Sequence, residues 1–158
     1  MARIQLPPGD DDELIRLYMV SPKMGTAAAK FSDAIYNKSS LGVRERETAR
    51  IRIAAINGCV VCLDTRTTSA ESLTEEEYRG IEQWRGLTTL SERERLAAET
   101  AERFALDHQN LDDDYWVRVR AAYTDAEVFD LMVCISGWLA LGRITAVFEA
   151  GVACPIQL

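Results

Sequence analysis

The stretch of residues 43–66 reads VRERETARIRIAAINGCVVCLDTR and decides how the chain can fold. It opens with alternating Arg and Glu, continues with Ile and Ala, and breaks at Asn57-Gly58, a dipeptide typical of turns. This pattern predicts a helix over residues 43–56, a turn, and a further helix over residues 59–69. Two helices joined by so short a turn predict an antiparallel hairpin that carries Cys59-Val60-Val61-Cys62.

The rest of the chain is also predicted to be helical. Ser or Thr followed three residues later by Glu occurs three times, and this spacing is typical of a capping box at a helix start. No region alternates with period two for long enough to predict a strand. We therefore predict an all-α fold, a helical bundle in one domain over residues 1–158, with Pro22 ending its first helix. The predicted capping boxes are Thr74/Glu77, Ser91/Glu94 and Thr124/Glu127, which begin helices over residues 75–84, 92–106 and 125–150.

Composition excludes several classes of partner. The 158 residues include Lys+Arg 18 and Asp+Glu 25, for a net charge of −7, which argues against nucleic acid and anionic membranes. No secretory signal is readable in the first residues. The longest apolar run, residues 131–142, is about 12 residues long, whereas a bilayer needs roughly 20. We expect a cytoplasmic protein with no membrane and no nucleic-acid partner.

The last predicted helix is apolar on nearly every side between Leu131 and Leu141. Such a helix needs cover all round, either from a central position in the bundle or from a second subunit. In so short a chain we favour the second subunit, and therefore expect a homo-oligomer.

Cys59 and Cys62 form the motif with evident chemistry. On a helix, residues i and i+3 place their Cα atoms about 5 Å apart, within the range of a disulfide. The first turn of a helix also stabilises a thiolate. Cys134 and Cys154 are more typical of packing residues, and the single histidine, His108, falls in a polar loop. We therefore expect no metal site and no cofactor.

Glu47 is the candidate proton acceptor for these thiols. It lies on the same helical stripe as Ile51, Ala54 and Gly58, so its carboxylate is predicted to point inward with the apolar residues. If the cysteine helix folds back along this helix, it passes Glu47.

The stretch from Arg44-Glu45-Arg46-Glu47 to Cys59-Val60-Val61-Cys62 resembles the signature of the carboxymuconolactone decarboxylase family, in particular its alkylhydroperoxidase AhpD-like branch. That signature is Glu, eleven residues, Cys, two residues, Cys, three residues, His. The resemblance covers roughly residues 20–150. It implies an all-α fold that assembles into dimers, trimers or hexamers. It also implies a dithiol cycle in which Cys62 attacks a peroxide, Cys59 resolves the sulfenic acid and a partner dithiol restores both.

The sequence departs from this signature at Arg66, which stands where the family has its proton-relaying histidine. An arginine stays protonated at any working pH and cannot relay a proton. We predict that Arg66 pairs with Glu47 across the hairpin, keeps it ionised and makes peroxide turnover slow. On this interpretation, Arg66→His raises peroxidase turnover.

The resulting hypothesis is a thiol-dependent peroxidase or disulfide oxidoreductase, with Cys62, Cys59, Glu47 and Arg66 as its catalytic residues. Its partners are a small peroxide or disulfide substrate and a dithiol reductant. Two alternatives stay open. One is lactone decarboxylation, the family's namesake reaction, although members with that activity usually lack the CxxC. The other is a non-catalytic oligomeric scaffold that has lost the proton relay.

Overall fold

The computed structural model describes residues 2–150, and within that range it contains helices and no strand, as the sequence predicts. Two short 3₁₀ segments, Ile81–Gly86 and His108–Asn110, connect longer elements. The α-helices are α1 Glu13–Met19, α2 Pro22–Asn37, α3 Val43–Asn57, α4 Val60–Asp64, α5 Glu75–Gly80, α6 Glu92–Asp107, α7 Asp113–Ala122 and α8 Asp125–Phe148.

Helix α3 lies at the centre of the bundle, between α6 and α8. Its buried face carries small and β-branched residues such as Ala49 and Ile53, which are fully buried. Ala97 and Ala101 of α6 are also fully buried, and alanines allow two helix backbones to approach closely. The helix that holds Glu47 and leads into the CxxC is therefore fixed on two sides.

An apolar cluster between α3, α6 and the intervening chain holds the segment after the CxxC. It joins Ile51 of α3 and Ala98 of α6 to residues between α4 and α6. The remaining buried members are Leu73, Tyr78, Ile81, Trp84 and Leu90. Burial of a side chain of this size stabilises the fold by about 1.5–3 kcal/mol, so the chain after α4 is anchored although it is largely irregular.

All three predicted capping boxes are confirmed. The side chains of Thr74, Ser91 and Thr124 accept hydrogen bonds from the third residue of their helices, and the glutamate at that position returns the bond. Two of these glutamates have a second role, because Arg44 of α3 binds both Glu77 and Glu94. The start of α3 thus ties the first turns of α5 and α6 together.

Helix α8 extends over 24 residues and is long and apolar enough to cross a membrane by length and composition alone. The helix is twice as long as the apolar run of residues 131–142 that the sequence shows. A core helix passes the same test, and α8 packs against α2, α3 and α6. Its other face is exposed, with Phe129 69% and Val147 64% accessible. The bundle therefore covers one side of the helix and leaves the other bare.

Three predicted boundaries were wrong. Pro22 does not end the first helix but begins α2, where its fixed φ suits the first helical position. The helix expected over residues 75–84 changes to 3₁₀ geometry at Ile81, directly after Gly80. The helix expected over residues 59–69 ends at Asp64, and this difference changes the candidate site.

Candidate functional site

Gly58 reverses the chain between α3 and α4. It adopts the left-handed conformation, with φ 62° and ψ 29°, and its N–H bonds back to the carbonyls of Ala54 and Ala55. The N–H of Cys59 also donates to the Ala54 carbonyl, at 3.0 Å. A glycine adopts this conformation without steric cost, which makes it the usual residue just past a helix end. The turn delivers Cys59 directly to the start of α4.

The two cysteines are joined by a disulfide, with their Cα atoms 5.2 Å apart. Cys59 is the N-cap of α4, and its sulfur accepts a hydrogen bond from the N–H of Cys62 at 3.3 Å. Cys59 is 7% exposed, whereas Cys62 is half-buried, so an incoming reagent meets the bond from the Cys62 side. Val60 and Val61 beside it are exposed.

Glu47 points into the protein, as its stripe predicts, and is only 2% exposed. The guanidinium of Arg50, one turn further along α3, binds it with two hydrogen bonds: Nε to Oε1 at 2.9 Å and Nη2 to Oε2 at 2.7 Å. The Tyr78 hydroxyl donates to Oε2 at 2.7 Å. Because the Tyr78 proton is used there, Ser72 donates to the Tyr78 oxygen, also at 2.7 Å. Both oxygens of Glu47 therefore accept hydrogen bonds, one from Arg50 alone and the other from Arg50 and Tyr78.

The charge states of Arg50 and Tyr78 follow from this arrangement. Burial acts to lower the pKa of Arg50, but the hydrogen bonds and charge of Glu47 raise it above its ordinary value. Burial raises the pKa of the Tyr78 hydroxyl, and its hydrogen bond to the Glu47 carboxylate acts in the same direction. The guanidinium stays charged and the phenol stays protonated at neutral pH.

Arg50 also connects the carboxylate to the cysteine segment. Its Nη1 donates to the carbonyl of Cys62 and its Nη2 donates to the carbonyl of Thr65, each at 2.8 Å. These carbonyls belong to the end of α4, where backbone acceptors lack partners within the helix. The hairpin is therefore closed by one buried arginine, which joins Glu47 on α3 to the backbone of Cys62.

The predicted pair between Arg66 and Glu47 was wrong. Arg66 binds Glu75, with Nε 2.8 Å from Oε1, and its guanidinium stacks on the Tyr78 ring at 4.2 Å. The prediction assumed that α4 continues past Arg66, but the helix ends at Asp64 and Thr65 is extended. Arg66 therefore leaves the helix face of Cys62, and Arg50 takes the position expected of it.

A cleft of about 200 Å³ opens beside this network. Neither cysteine lines it, but Arg50 does, and Arg50 binds the Cys62 carbonyl. The lining residues are mostly polar and come from α2, α3 and the segment after α4: Tyr36, Asn37, Arg46, Glu47, Arg50, Thr65, Arg66 and Thr67.

The structure thus brings Cys59, Cys62 and Glu47 into one hairpin and places Arg66 against Tyr78. Sequence reasoning missed Arg50 and Tyr78. The spacing of Glu47 and Arg50, three residues apart on one helix, is the signal that could have indicated their pairing. Tyr78 lies 31 residues from Glu47, and no local pattern connects them.

The other chemistry-bearing residues lie apart from the hairpin. Cys134 is buried, and burial raises the pKa of its thiol, which fits a packing residue. His108 is exposed at the end of α6. Cys154 lies outside the described residues.

Two known proteins resemble this chain over most of its length. The uncharacterized protein YdfG of Bacillus subtilis (strain 168) is 27% identical over 134 residues, which cover 83% of this chain and 90% of YdfG. The crystal structure of ATU0492 from Agrobacterium tumefaciens is that of a protein of unknown function, described as a candidate antioxidant defence protein AhpD. It matches with a TM-score of 0.74 at 22% identity and covers 94% of this chain and 96% of that one. This likeness shows a shared fold.

The family comparison bears on the hairpin itself. Residues 22–103 match the sequence model of the carboxymuconolactone decarboxylase family. The matched range contains α2 to α5, most of α6, the CxxC and the whole Glu47–Arg50–Tyr78 network. The match spans more than half of the 158 residues, and the chain therefore belongs to the carboxymuconolactone decarboxylase family, with an AhpD-like helical fold.

Proposed function

We propose that the protein is a thiol-dependent oxidoreductase that cycles Cys59 and Cys62 between a dithiol and a disulfide. The single observation that carries this proposal is the Cys59–Cys62 bond at the hairpin turn, with Cys62 on its accessible side. Its substrates are a small disulfide or peroxide, and a dithiol returns the electrons. Both sulfurs lie at the start of α4, three residues apart, so the bond closes only a short loop.

Disulfide exchange is the simpler half-reaction. The Cys62 thiolate attacks one sulfur of R–S–S–R, forms a mixed disulfide and releases one thiolate. The Cys59 thiol loses its proton to solvent and attacks the Cys62 sulfur, which closes the internal disulfide and releases the second thiolate. The protein loses two electrons and the substrate gains them. A dithiol then reverses the change on the protein and becomes a disulfide itself.

Peroxide reduction uses the same sulfurs but needs a proton. The Cys62 thiolate attacks R–O–O–H, becomes a sulfenic acid and expels an alkoxide. Cys59 then displaces water from the sulfenic acid and closes the disulfide. An alkoxide is a far poorer leaving group than a thiolate, whose conjugate acid has a pKa of about 8.5, so it requires a proton donor. Both oxygens of Glu47 already accept hydrogen bonds from Arg50 and Tyr78, so its carboxyl group is not placed to donate that proton.

This difference orders the two activities. We expect disulfide exchange to be efficient and peroxide turnover to be slow. The slow peroxidase activity expected from the sequence is retained, but its cause is the Glu47–Arg50 pair rather than a pair with Arg66. The antioxidant role suggested by the resemblance therefore rests on disulfide chemistry first. We also propose that the protein works in the reducing cytoplasm, where a dithiol can recycle it.

The test is turnover of the purified protein with a dithiol as reductant and either a disulfide or a peroxide as oxidant. Wild type is expected to turn over both, the disulfide faster. Cys62→Ser is expected to abolish turnover, because the attacking sulfur is lost. Cys134→Ser is the matched control, since Cys134 is a buried thiol outside the hairpin, and it should retain turnover. Equal rates for wild type and Cys62→Ser would overturn the proposal. Lactone decarboxylation and a scaffold role both predict this result, because neither uses the Cys62 sulfur.

A further inference from the structure

We infer that the cleft beside the hairpin is a binding site for a carboxylate, and that Arg46 is the residue that recognises it. This inference rests on the proposed function and specifies its substrate: a small disulfide that bears a carboxylate group. Three observations carry it: the unpaired charge of Arg46, the polar lining of the cleft and the connection of the cleft to Cys62 through Arg50.

Arg46 differs from the other two arginines of the cleft. Arg50 is paired with Glu47, and Arg66 is paired with Glu75. Arg46 has no ion pair among residues 2–150, and its Nε is buried without a hydrogen-bond acceptor. A buried donor without an acceptor costs free energy, and a guanidinium costs more than a neutral group. A carboxylate bound to the guanidinium of Arg46 from the cleft compensates its charge, which no side chain among residues 2–150 does.

The other lining groups also suit a small polar ligand. Thr67 contributes a hydroxyl and Tyr36 a phenol, while the Asn37 amide donates to Asp33 and the Thr65 hydroxyl donates to the Val61 carbonyl. The one carboxylate of the lining set, Glu47, is already neutralised by Arg50. The cleft therefore has one positive charge in excess, which matches a ligand group with one negative charge.

This charge balance favours a carboxylate over a phosphate. A carboxylate carries a single charge and accepts two parallel hydrogen bonds from a guanidinium. A phosphate dianion would leave one negative charge uncompensated beside Glu47. A cleft of about 200 Å³ also holds only a small part of a molecule, so the rest of the ligand lies outside it.

Arg50 connects the cleft to the cysteine pair, because it lines the cleft and donates a hydrogen bond to the Cys62 carbonyl. Thr65, three residues after Cys62, also lines the cleft. The inference therefore places the sulfurs of a ligand whose carboxylate binds Arg46 at the accessible side of the cysteine pair. The exchange reaction is the one given above, with R–S–S–R bearing a carboxylate on R.

The experiment measures how fast each of two disulfides oxidises the fully reduced protein. Dithiodipropionate carries carboxylates, and hydroxyethyl disulfide is a neutral analogue. Wild type is expected to react faster with the anionic disulfide, by about tenfold or more, because its carboxylate forms charge-assisted hydrogen bonds with Arg46. Arg46→Met is expected to bring the ratio of the two rates close to one. The ratio cancels any effect of the substitution on the reactivity of the thiolate. Arg120→Met, which removes an exposed arginine of α7 outside the cleft, should preserve the ratio.

A second measurement does not depend on reactivity. Suberate has the length and charge of dithiodipropionate but no sulfur, and its binding to the oxidised protein can be followed by calorimetry. Wild type is expected to bind it and Arg46→Met to lose binding by about tenfold or more. Inorganic phosphate should compete weakly. Absence of suberate binding, equal binding by the variant, or stronger binding of phosphate would each overturn the inference, whatever the disulfides show.

The two proposals fail separately. If neither disulfide oxidises the reduced protein, the redox function is wrong, and suberate binding still decides the carboxylate site. If both disulfides react at the same rate and Arg46→Met changes nothing, the redox function stands and the carboxylate site is wrong. If Arg46→Met changes the sedimentation of the protein but not the rate ratio, Arg46 serves subunit contact and the inference is likewise overturned.

Discussion

Glu47 and Arg50, three residues apart on α3, form a two-hydrogen-bond ion pair in which each side chain is only 3% exposed. This pair occupies the position where the sequence suggested an Arg66–Glu47 contact. A buried ion pair contributes little net stability to a fold. Removal of one partner is nevertheless strongly destabilising, because it leaves the other charge buried and uncompensated. The pair therefore controls both the stability of the hairpin and the charge beside the cysteines.

Arg50→Met is expected to destabilise the protein by about 3–5 kcal/mol. The substitution leaves Glu47 buried without its cation and removes the hydrogen bonds to the Cys62 and Thr65 carbonyls. The free energy of unfolding in denaturant measures the effect. Arg66→Met is the control and should be clearly less destabilising, because the pair of Arg66 with Glu75 is solvent-exposed and Arg66 otherwise loses only its stack on Tyr78 and its hydrogen bonds to the Leu63 and Thr65 carbonyls. Similar losses for the two variants would contradict the assignment of Arg50 as the residue that closes the hairpin.

Gly58→Ala is expected to destabilise the protein by about 1–2 kcal/mol, because residue 58 has φ 62° and an L side chain is strained there. Gly86 provides the control. A Cβ at either position meets no atom within 4 Å, and Gly86 lacks a positive φ. Gly86→Ala should therefore be neutral, or stabilising by about 0.4–1 kcal/mol. Thermal unfolding of the two variants separates backbone strain from crowding, and equal shifts in Tm would show that the turn does not need its glycine.

The protein is expected to lose stability in acid between about pH 4.5 and pH 2. Hydrogen bonds from Arg44 lower the pKa of Glu77 from 4.5 to about 2, and a hydrogen bond from Arg93 lowers the pKa of Glu127 from 4.5 to about 2. A carboxyl whose pKa is lowered by folding contributes its full stabilisation above its unfolded pKa and loses it as the pH falls towards the folded pKa. Tm measured from neutral pH downward should fall across this window, and Glu127→Gln should make the fall shallower. A Tm that stays flat from pH 4.5 to pH 2 would rule out this source of stability.

We expect the bare face of α8 to bind a second copy of the chain, as the apolar final helix suggested. Phe129, Val133, Ala140, Ile144 and Val147 recur at helical spacing along that face, together with Ser136 and Arg143, and all are exposed or partly exposed. A mostly apolar stripe of this length on the surface of a protein is typical of an interface. Sedimentation is expected to show an oligomer that Phe129→Glu dissociates.

The control for this prediction is Val117→Glu on α7. Val117 is 65% exposed, close to the 69% of Phe129, but lies outside the stripe. The Val117→Glu substitution should leave the sedimentation coefficient unchanged. A monomeric wild type, or dissociation by both variants, would argue against a specific interface on α8.

The sequence predicted those features of the site that depend on residues close together in the chain. Gly58 indicates the turn, the spacing of Cys59 and Cys62 indicates Cα atoms close enough for a disulfide, and the helical stripe places Glu47 inside the protein. All three depend on local backbone geometry, and all three are observed.

The end of α4 could not be predicted in the same way. Arg50 binds the carbonyls of Cys62 and Thr65 at the end of this helix, and that contact crosses the hairpin. Because the predicted α4 was too long, the prediction placed Arg66 on the helix face of Cys62 and did not identify the role of Arg50. Tyr78 was missed for a similar reason, since the apolar cluster formed with Ile51 and Trp84 brings it to Glu47.

The most direct test of the account is the thiol–disulfide state of the hairpin in defined redox buffers. The protein is equilibrated over a series of thiol-to-disulfide ratios, trapped by alkylation, and mapped for free Cys59 and Cys62. We predict that the two cysteines become protected together in one reversible two-electron step, and that Cys62→Ser leaves Cys59 as a free thiol or a mixed disulfide. Independent oxidation of Cys59 and Cys62, or a bond that no dithiol reduces under native conditions, would contradict the account.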